Sequence, residues 1–174
     1  MSIFIIEPDI AKAKTLHTSF YTNLANFETA KEKIFSPSWH FIGDTSLVPE
    51  SGSCCPITLL PGCLNEPLLL TNSGEGKIRC MSNVCTHRGN ILVNEPCKSA
   101  HIRCRYHGRL FELDGKFRSM PEFKEVENFP APEDDLHGPS IFNWGKLLFI
   151  NLEQKQDARH YFGDMMDRLS FLPL

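Results

Sequence analysis

The chain lacks a long apolar run, an excess of basic residues and an even complement of cysteines, and each absence excludes something. The opening "MSIFIIEPDI" holds a short apolar stretch with no basic residue before it and an early acid. It reads as neither a secretory signal nor a membrane span, so the expected location is cytoplasmic with no membrane partner. Lysine and arginine number 18 against 21 aspartates and glutamates, a formal charge of -3. That balance offers no electrostatic footprint for nucleic acid. There is no low-complexity tract and no long repeat. Seven cysteines is a high and odd number. A secreted scaffold pairs its cysteines evenly, so an intracellular metal site explains them better.

What is present is an ordinary globular composition, 41% hydrophobic and 22% charged over 174 residues. That length buries an apolar core without disulfides, and one principal domain is expected. Residues 9–34 read as helical, with Asp9 as one N-cap and Thr22 or Asn23 as another ahead of Leu24, Phe27, Ala30 and Ile34. Pro37 stops that segment. Short runs follow: "WHFIGDT", "PITLLPG", "PLLLTN", "GKIRCMSNV", "HIRCRYHG", "RLFELDGKFRSM" and "WGKLLFINL". They read as strands, with "SGEG" and "LDGK" as turns between them. The expected fold is mainly β, an antiparallel barrel or sandwich over 36–152. A helical segment at 1–35 precedes it. After it, 153–174 carries a short helix marked by Tyr161, Met165, Met166 and Leu169.

The chemistry concentrates in "CTHRGN" and "CRYHGR". Cys85, one residue, His87, sixteen residues, Cys104, two residues and His107 give two loops, each with one thiolate and one imidazole. A single tetrahedral zinc accepts two sulfurs and two nitrogens, but zinc fingers place both cysteines before both histidines. Here the order alternates. Two such loops can instead hold two metals between them, with both sulfurs on one and both nitrogens on the other. Gly89 and Gly108 follow the histidines, where loops folding around a cluster need positive φ or close backbone approach. The other five cysteines, Cys54, Cys55, Cys63, Cys80 and Cys97, have no patterned setting and read as small buried hydrophobes or idle thiols.

This pattern resembles the Rieske [2Fe-2S] proteins, whose ligands run Cys-X-His, a spacer, then Cys-X-X-His. The resemblance implies that Cys85 and Cys104 ligate the inner iron and His87 and His107 the outer iron near the surface. It extends through "KEKIFSPSWHFIGDTSLVP", "CRYHGRLFELDGKFRSMPEF" and "WGKLLFINL" to the N-terminal half of ring-hydroxylating oxygenase α subunits, including choline-monooxygenase-like relatives. In that family the Rieske domain receives electrons from a reductase or ferredoxin. It feeds a mononuclear iron in a C-terminal domain of the same or a neighbouring subunit of a homo-oligomer. A free-standing Rieske ferredoxin and a zinc-stabilised module are the alternatives. The second iron site resembles Asp-X-X-His followed by another His, and the near match, Asp134 to His137, lacks its third member. No catalytic residue is therefore assigned, and the chain reads as the electron-transfer part of an α subunit.

The chain also departs from the family. Arg105 stands where a proline is usual in the second loop, and Arg109 where a tryptophan is usual. These arginines suit a docking surface around the cluster tip, or equally a solvated or locally salt-bridged loop. Tyr106 is expected against the loops and Pro121 over the cluster from a third side, with Trp39 and Trp144 as core anchors. Respiratory Rieske proteins carry a serine, a tyrosine and a loop-bracing disulfide, whose places here hold Arg109, Phe111, and Asn90 with Tyr106. A low potential is the implication.

Overall fold

The computed structural model describes residues 4–123, 125–153 and 157–173, so 154–156 and 174 of the expected C-terminal segment, and 1–3 of the N-terminal one, lie outside the described residues. Among the described residues ten strands form three antiparallel sheets. Sheet A has the order β1 (His40–Asp44), β10 (Leu147–Asn151), β9 (Ser140–Trp144). Sheet B has the order β4 (Ile78–Ser82), β3 (Glu66–Asn72), β2 (Ser53–Leu59), β5 (Cys97–Lys98). Sheet C joins β6 (Ile102–Arg103), β7 (Leu110–Phe111) and β8 (Phe117–Ser119). The mainly-β antiparallel expectation holds. Among the described residues no helix is long and apolar enough to cross a membrane.

Sheet B is the divider, and side-chain alternation explains how. Successive residues of a strand point to opposite faces. Leu68 and Leu70 of β3, Cys55 of β2 and Cys80 of β4 pack with Leu148 and Ile150 of sheet A in one core. Leu69, Cys54 and Met81, from the same three strands, pack on the other side with Cys85, Cys104, Ile102 and Phe111. Because both faces are covered, "PLLLTN" reads as a continuous apolar run rather than an alternating one. Three of the unpatterned cysteines, Cys54, Cys55 and Cys80, are thus core residues; burial pushes the Cys80 thiol up to about 12.

One buried hydroxyl ties sheet B to sheet C. Thr71, with no exposed surface, donates from Oγ1 to the Leu113 carbonyl at 2.6 Å. Thr71→Val keeps the shape and leaves that carbonyl without its donor. Urea unfolding should show a loss of about 1.5 kcal/mol.

The N-terminal helix differs from expectation. Asp9 caps only a single turn, accepting from the Ala11 N–H at 3.0 Å, and the helices are α1 (Ser19–Thr22) and α2 (Leu24–Ala30). Asn23, capping α2 through its side chain, breaks the two apart with an extended backbone. Helices this short depend on packing for their stability, and here the expected apolar face finds little: Leu24 is 70% exposed and Ile34 is 57% exposed. A π-helical turn, Lys31–Phe35, ends the segment ahead of Pro37.

The C-terminal helix is where it was expected, as α3 (Ala158–Arg168). Its buried face is different. Tyr161 and Met165 are exposed, and Phe162 is the anchor, its ring 4.8 Å from Phe149, 5.8 Å from Phe142 and 5.9 Å from Trp39. Trp39 is accordingly a packing residue of sheet A.

Candidate metal centre

The two Cys-His loops are the same turn built twice. In the first, Val84 bridges Ile91, the Cys85 N–H donates to the Asn90 carbonyl at 2.8 Å, and the Gly89 N–H donates to the Cys85 carbonyl at 3.0 Å. In the second, Arg103 pairs with Leu110, Cys104 N–H donates to the Arg109 carbonyl at 2.8 Å, and Gly108 N–H donates to the Cys104 carbonyl at 3.0 Å. Each glycine lies four residues after its cysteine with positive φ, +68° at Gly89 and +78° at Gly108. The shared offset is from the cysteines, since the histidines sit at different steps of the turn. Gly108 is also crowded: a Cβ there would lie 3.0 Å from Pro121, so that proline lies against the second loop.

This repeat separates the donors by type. Cys85 and Cys104 are each 2% exposed and lie in the core below the loops. His87 and His107 sit at the surface with ring centroids 4.8 Å apart and planes at 72°. Among the described residues no three His, Cys, Asp or Glu side chains are grouped to hold one ion. The arrangement is one of pairs, sulfur inside and nitrogen outside. Tyr106, expected to pack against the loops, is 59% exposed and stacks on the His107 ring at 3.8 Å, while Phe123 approaches His87 at 6.4 Å.

The electrostatics follow from burial and one cation. Burial raises the Cys85 thiol most, opposed by a hydrogen bond from the His87 backbone N–H; Cys104 raises it further, and the Arg109 charge lowers it. His87 is held below the usual imidazole value by burial first, then by His107, Arg109 and Arg88.

Of the readings open for Arg109, docking, solvation or a salt bridge, the structure shows the salt bridge. Arg109 is 3% exposed. Its Nη1 donates to Thr86 Oγ1 at 2.7 Å and its Nη2 to Asp134 Oδ1 at 2.9 Å. The guanidinium lies over the rings of Phe117 and Phe129, at 5.1 and 5.5 Å. Thr86 belongs to the first loop, Arg109 ends the second, and Asp134 lies in a third segment, a 3₁₀ turn at Pro132–Asp134. Asp134 accepts from the Ala131 N–H as well, and Thr86 donates to its carbonyl. One cation thus fastens three segments. Sequence reasoning missed this clamp. The available signal was a charge in place of an aromatic, which inside a core demands a counter-ion, and "APEDD" supplies one. Arg105, by contrast, is exposed. His137 is exposed too, and Asp134 is spent on Arg109.

Residues 38–130, more than half of the chain, match the Rieske [2Fe-2S] domain. The chain belongs to this family. Its cofactor is a [2Fe-2S] cluster, and the residues present fit one: two buried sulfurs for one iron and two surface imidazoles for the other. Choline monooxygenase, chloroplastic, of Beta vulgaris is 30% identical over 84% of this chain and 32% of its own length. The carnitine monooxygenase oxygenase subunit of Escherichia coli K12 is 27% identical over 82% of this chain and 37% of its own. Among solved structures, the apo form of the quaternary ammonium Rieske monooxygenase CntA superposes with TM-score 0.78 at 25% identity, over 87% of this chain and 44% of that one. Naphthalene 1,2-dioxygenase shares the fold, with TM-score 0.70. These relatives are oxygenases, and this chain spans about a third of the length of the curated ones.

Proposed function

We propose that Cys85 and Cys104 hold the inner iron and His87 and His107 the outer iron of this Rieske cluster. On that basis the domain at 36–152 relays single electrons from a reductase or ferredoxin toward the mononuclear iron of an oxygenase, in a catalytic domain of the same or a neighbouring subunit. The observation that carries the reading is the duplicated turn, which pairs buried sulfurs with surface imidazoles. When bound, the cluster supplies a one-electron store. The protein supplies the rest. The core around Cys85 and Cys104 keeps water from the sulfurs, the His87 N–H and the Arg109 charge stabilise negative charge there, and the paired rings form the edge that a partner touches. Each imidazole that gives one nitrogen to iron keeps the other for a proton near the surface, which couples proton to electron movement.

The oxygenase setting, as opposed to a free ferredoxin, is supported by relatives that match 82–87% of this chain, well beyond the cluster domain itself. One neighbour's structure is described with inter-subunit electron transfer, which supports a partner subunit as acceptor. The relatives' names support a small quaternary ammonium compound as the substrate that the whole enzyme hydroxylates or demethylates. The catalytic iron site is not among the residues of this chain in this reading.

The test is elemental and spectroscopic. Iron and acid-labile sulfide should each approach about two per chain, with a reduced-state EPR signal of low average g. Film voltammetry should place the midpoint below about +100 mV on the Rieske scale, because Phe111 is fully buried and offers no hydroxyl to sulfur. One zinc and no sulfide in a folded preparation would end the proposal.

A further inference from the structure

Two cysteines outside the metal centre face each other across a strand pair. Cys54 of β2 and Cys97 of β5 are direct partners in the antiparallel register. Opposed residues in such a ladder have Cα atoms about 4.5 or 5.5 Å apart, and both spacings fall within the range a disulfide spans. Both thiols are free, Cys54 Sγ donates to the Gly52 carbonyl at 3.6 Å, and Cys97 is near enough to help raise the Cys54 thiol. Their settings differ. Cys54 is 1% exposed and sits in the core that holds Cys85 and Cys104, whereas Cys97 is exposed. Both line a cleft of about 290 Å³ with His101, Arg103 and Arg105, which admits a small molecule to the pair.

The pair also has a position of consequence. Cys97 lies in the spacer between the two turns, on a two-residue edge strand. Its register pairs are Ser53 with Lys98 and Cys54 with Cys97, the Ser99 N–H donates to the Gly52 carbonyl at 2.9 Å, and Lys98 pairs with Glu50 at 2.8 Å. Further back, the Asn83 amide grips the spacer at Val93 through two hydrogen bonds, of 2.7 and 3.0 Å.

We propose that Cys54 and Cys97 form a redox-active dithiol that hydrogen peroxide closes to a disulfide, stapling the spacer between the two cluster turns to sheet B. The exposed Cys97 sulfur attacks the peroxide oxygen, the O–O bond breaks, and a sulfenic acid and one water result after proton transfer. The Cys54 thiol then displaces hydroxide from that sulfenic acid, its own proton completing a second water. Two thiols are oxidised by two electrons as one peroxide is reduced to two waters. Burial first, and then Cys97, raise the Cys54 thiol to about 11, which leaves the first attack on peroxide to the exposed Cys97.

The test uses the cluster-loaded protein, with hydrogen peroxide at doses that leave its visible spectrum unchanged. After thiol blocking, non-reducing peptide mapping should show a Cys54–Cys97 link, two hydrogens lighter, in most chains, and dithiothreitol should reverse it. Hydrogen exchange across 93–101 should slow in the oxidised form. In Cys54→Ser, Cys97 should persist as a sulfenic acid that dimedone traps. In Cys97→Ser, no link should form and Cys54 should stay reduced. Wild-type Cys97 trapped by dimedone, carried to the sulfinic acid or linked to another cysteine, with Cys54 still a free thiol, would overturn the proposal. So would a link that leaves exchange across 93–101 unchanged.

Discussion

His107→Ala should empty the metal centre without loosening the protein. Iron and acid-labile sulfide should fall from about two of each per chain to background. Unfolding of the metal-free protein should nevertheless stay within about 0.5 kcal/mol of the unaltered chain. The reason is where the ring sits: it is exposed, and its ring neighbours are the exposed Tyr106 and the other imidazole. Cys104→Ser makes the complementary case. Serine offers no thiolate, so the cluster is lost again, but the hydroxyl replaces a sulfur that is 2% exposed among Cys54, Leu69 and Phe111. There the metal-free fold should lose roughly 1–3 kcal/mol, the usual cost of burying an unpartnered hydroxyl. Retention of iron and sulfide by His107→Ala would remove that residue from the ligand set.

Arg109→Met should produce the largest change in stability, a loss of about 3 kcal/mol in urea unfolding. Removing the cation strands Asp134, whose side chain is 21% exposed, and deprives Thr86 of a donor. The partial exposure of Asp134 holds the estimate at the low end of what a broken buried pair costs. Adding Asp134→Leu to Arg109→Met should recover most of the loss, since a buried ion pair exchanged for apolar side chains of similar volume is often close to neutral. A second readout separates positioning from packing. The Arg109 charge favours the anionic Cys85 sulfur, and the same field favours an added electron nearby, so Arg109→Met should lower the midpoint potential while Arg109→Lys keeps more of it. An unchanged potential in Arg109→Met would reduce the residue to a structural clamp.

The metal centre was legible because its information is local. A Cys-X-His and a Cys-X-X-His, each with a glycine four residues after the cysteine, need no knowledge of the rest of the chain, and the strands around them carry turn residues between apolar runs. The clamp was not legible, because Arg109 and Asp134 are 25 positions apart and become neighbours only through the fold. The helices failed in an instructive way. Tyr161, Met165, Met166 and Leu169 mark a helix, but which stripe of it is buried was settled by the ring of Phe162 meeting Trp39, Phe142 and Phe149 of sheet A. At the other end, Asp9 and Leu24 supply plausible caps and apolar spacing, yet Leu24 meets almost nothing, and an unpacked pattern does not sustain a continuous helix.

Sheet A has a consequence for how the protein is made. Its first strand pairs with its last-synthesised one, His40 with Ile150 and Asp44 with Leu147. All four metal-ligand candidates lie between them in the chain. At a ribosome moving roughly 5–20 residues per second, the cysteines leave the exit tunnel seconds before β9 and β10 emerge to close the core that holds Leu148 and Ile150. During that interval sheets B and C, whose pairings are nearer in sequence, can assemble around the duplicated turns. The long-range closure comes last and covers the face of sheet B away from Cys85 and Cys104, so the core that holds the two sulfurs can form before sheet A does.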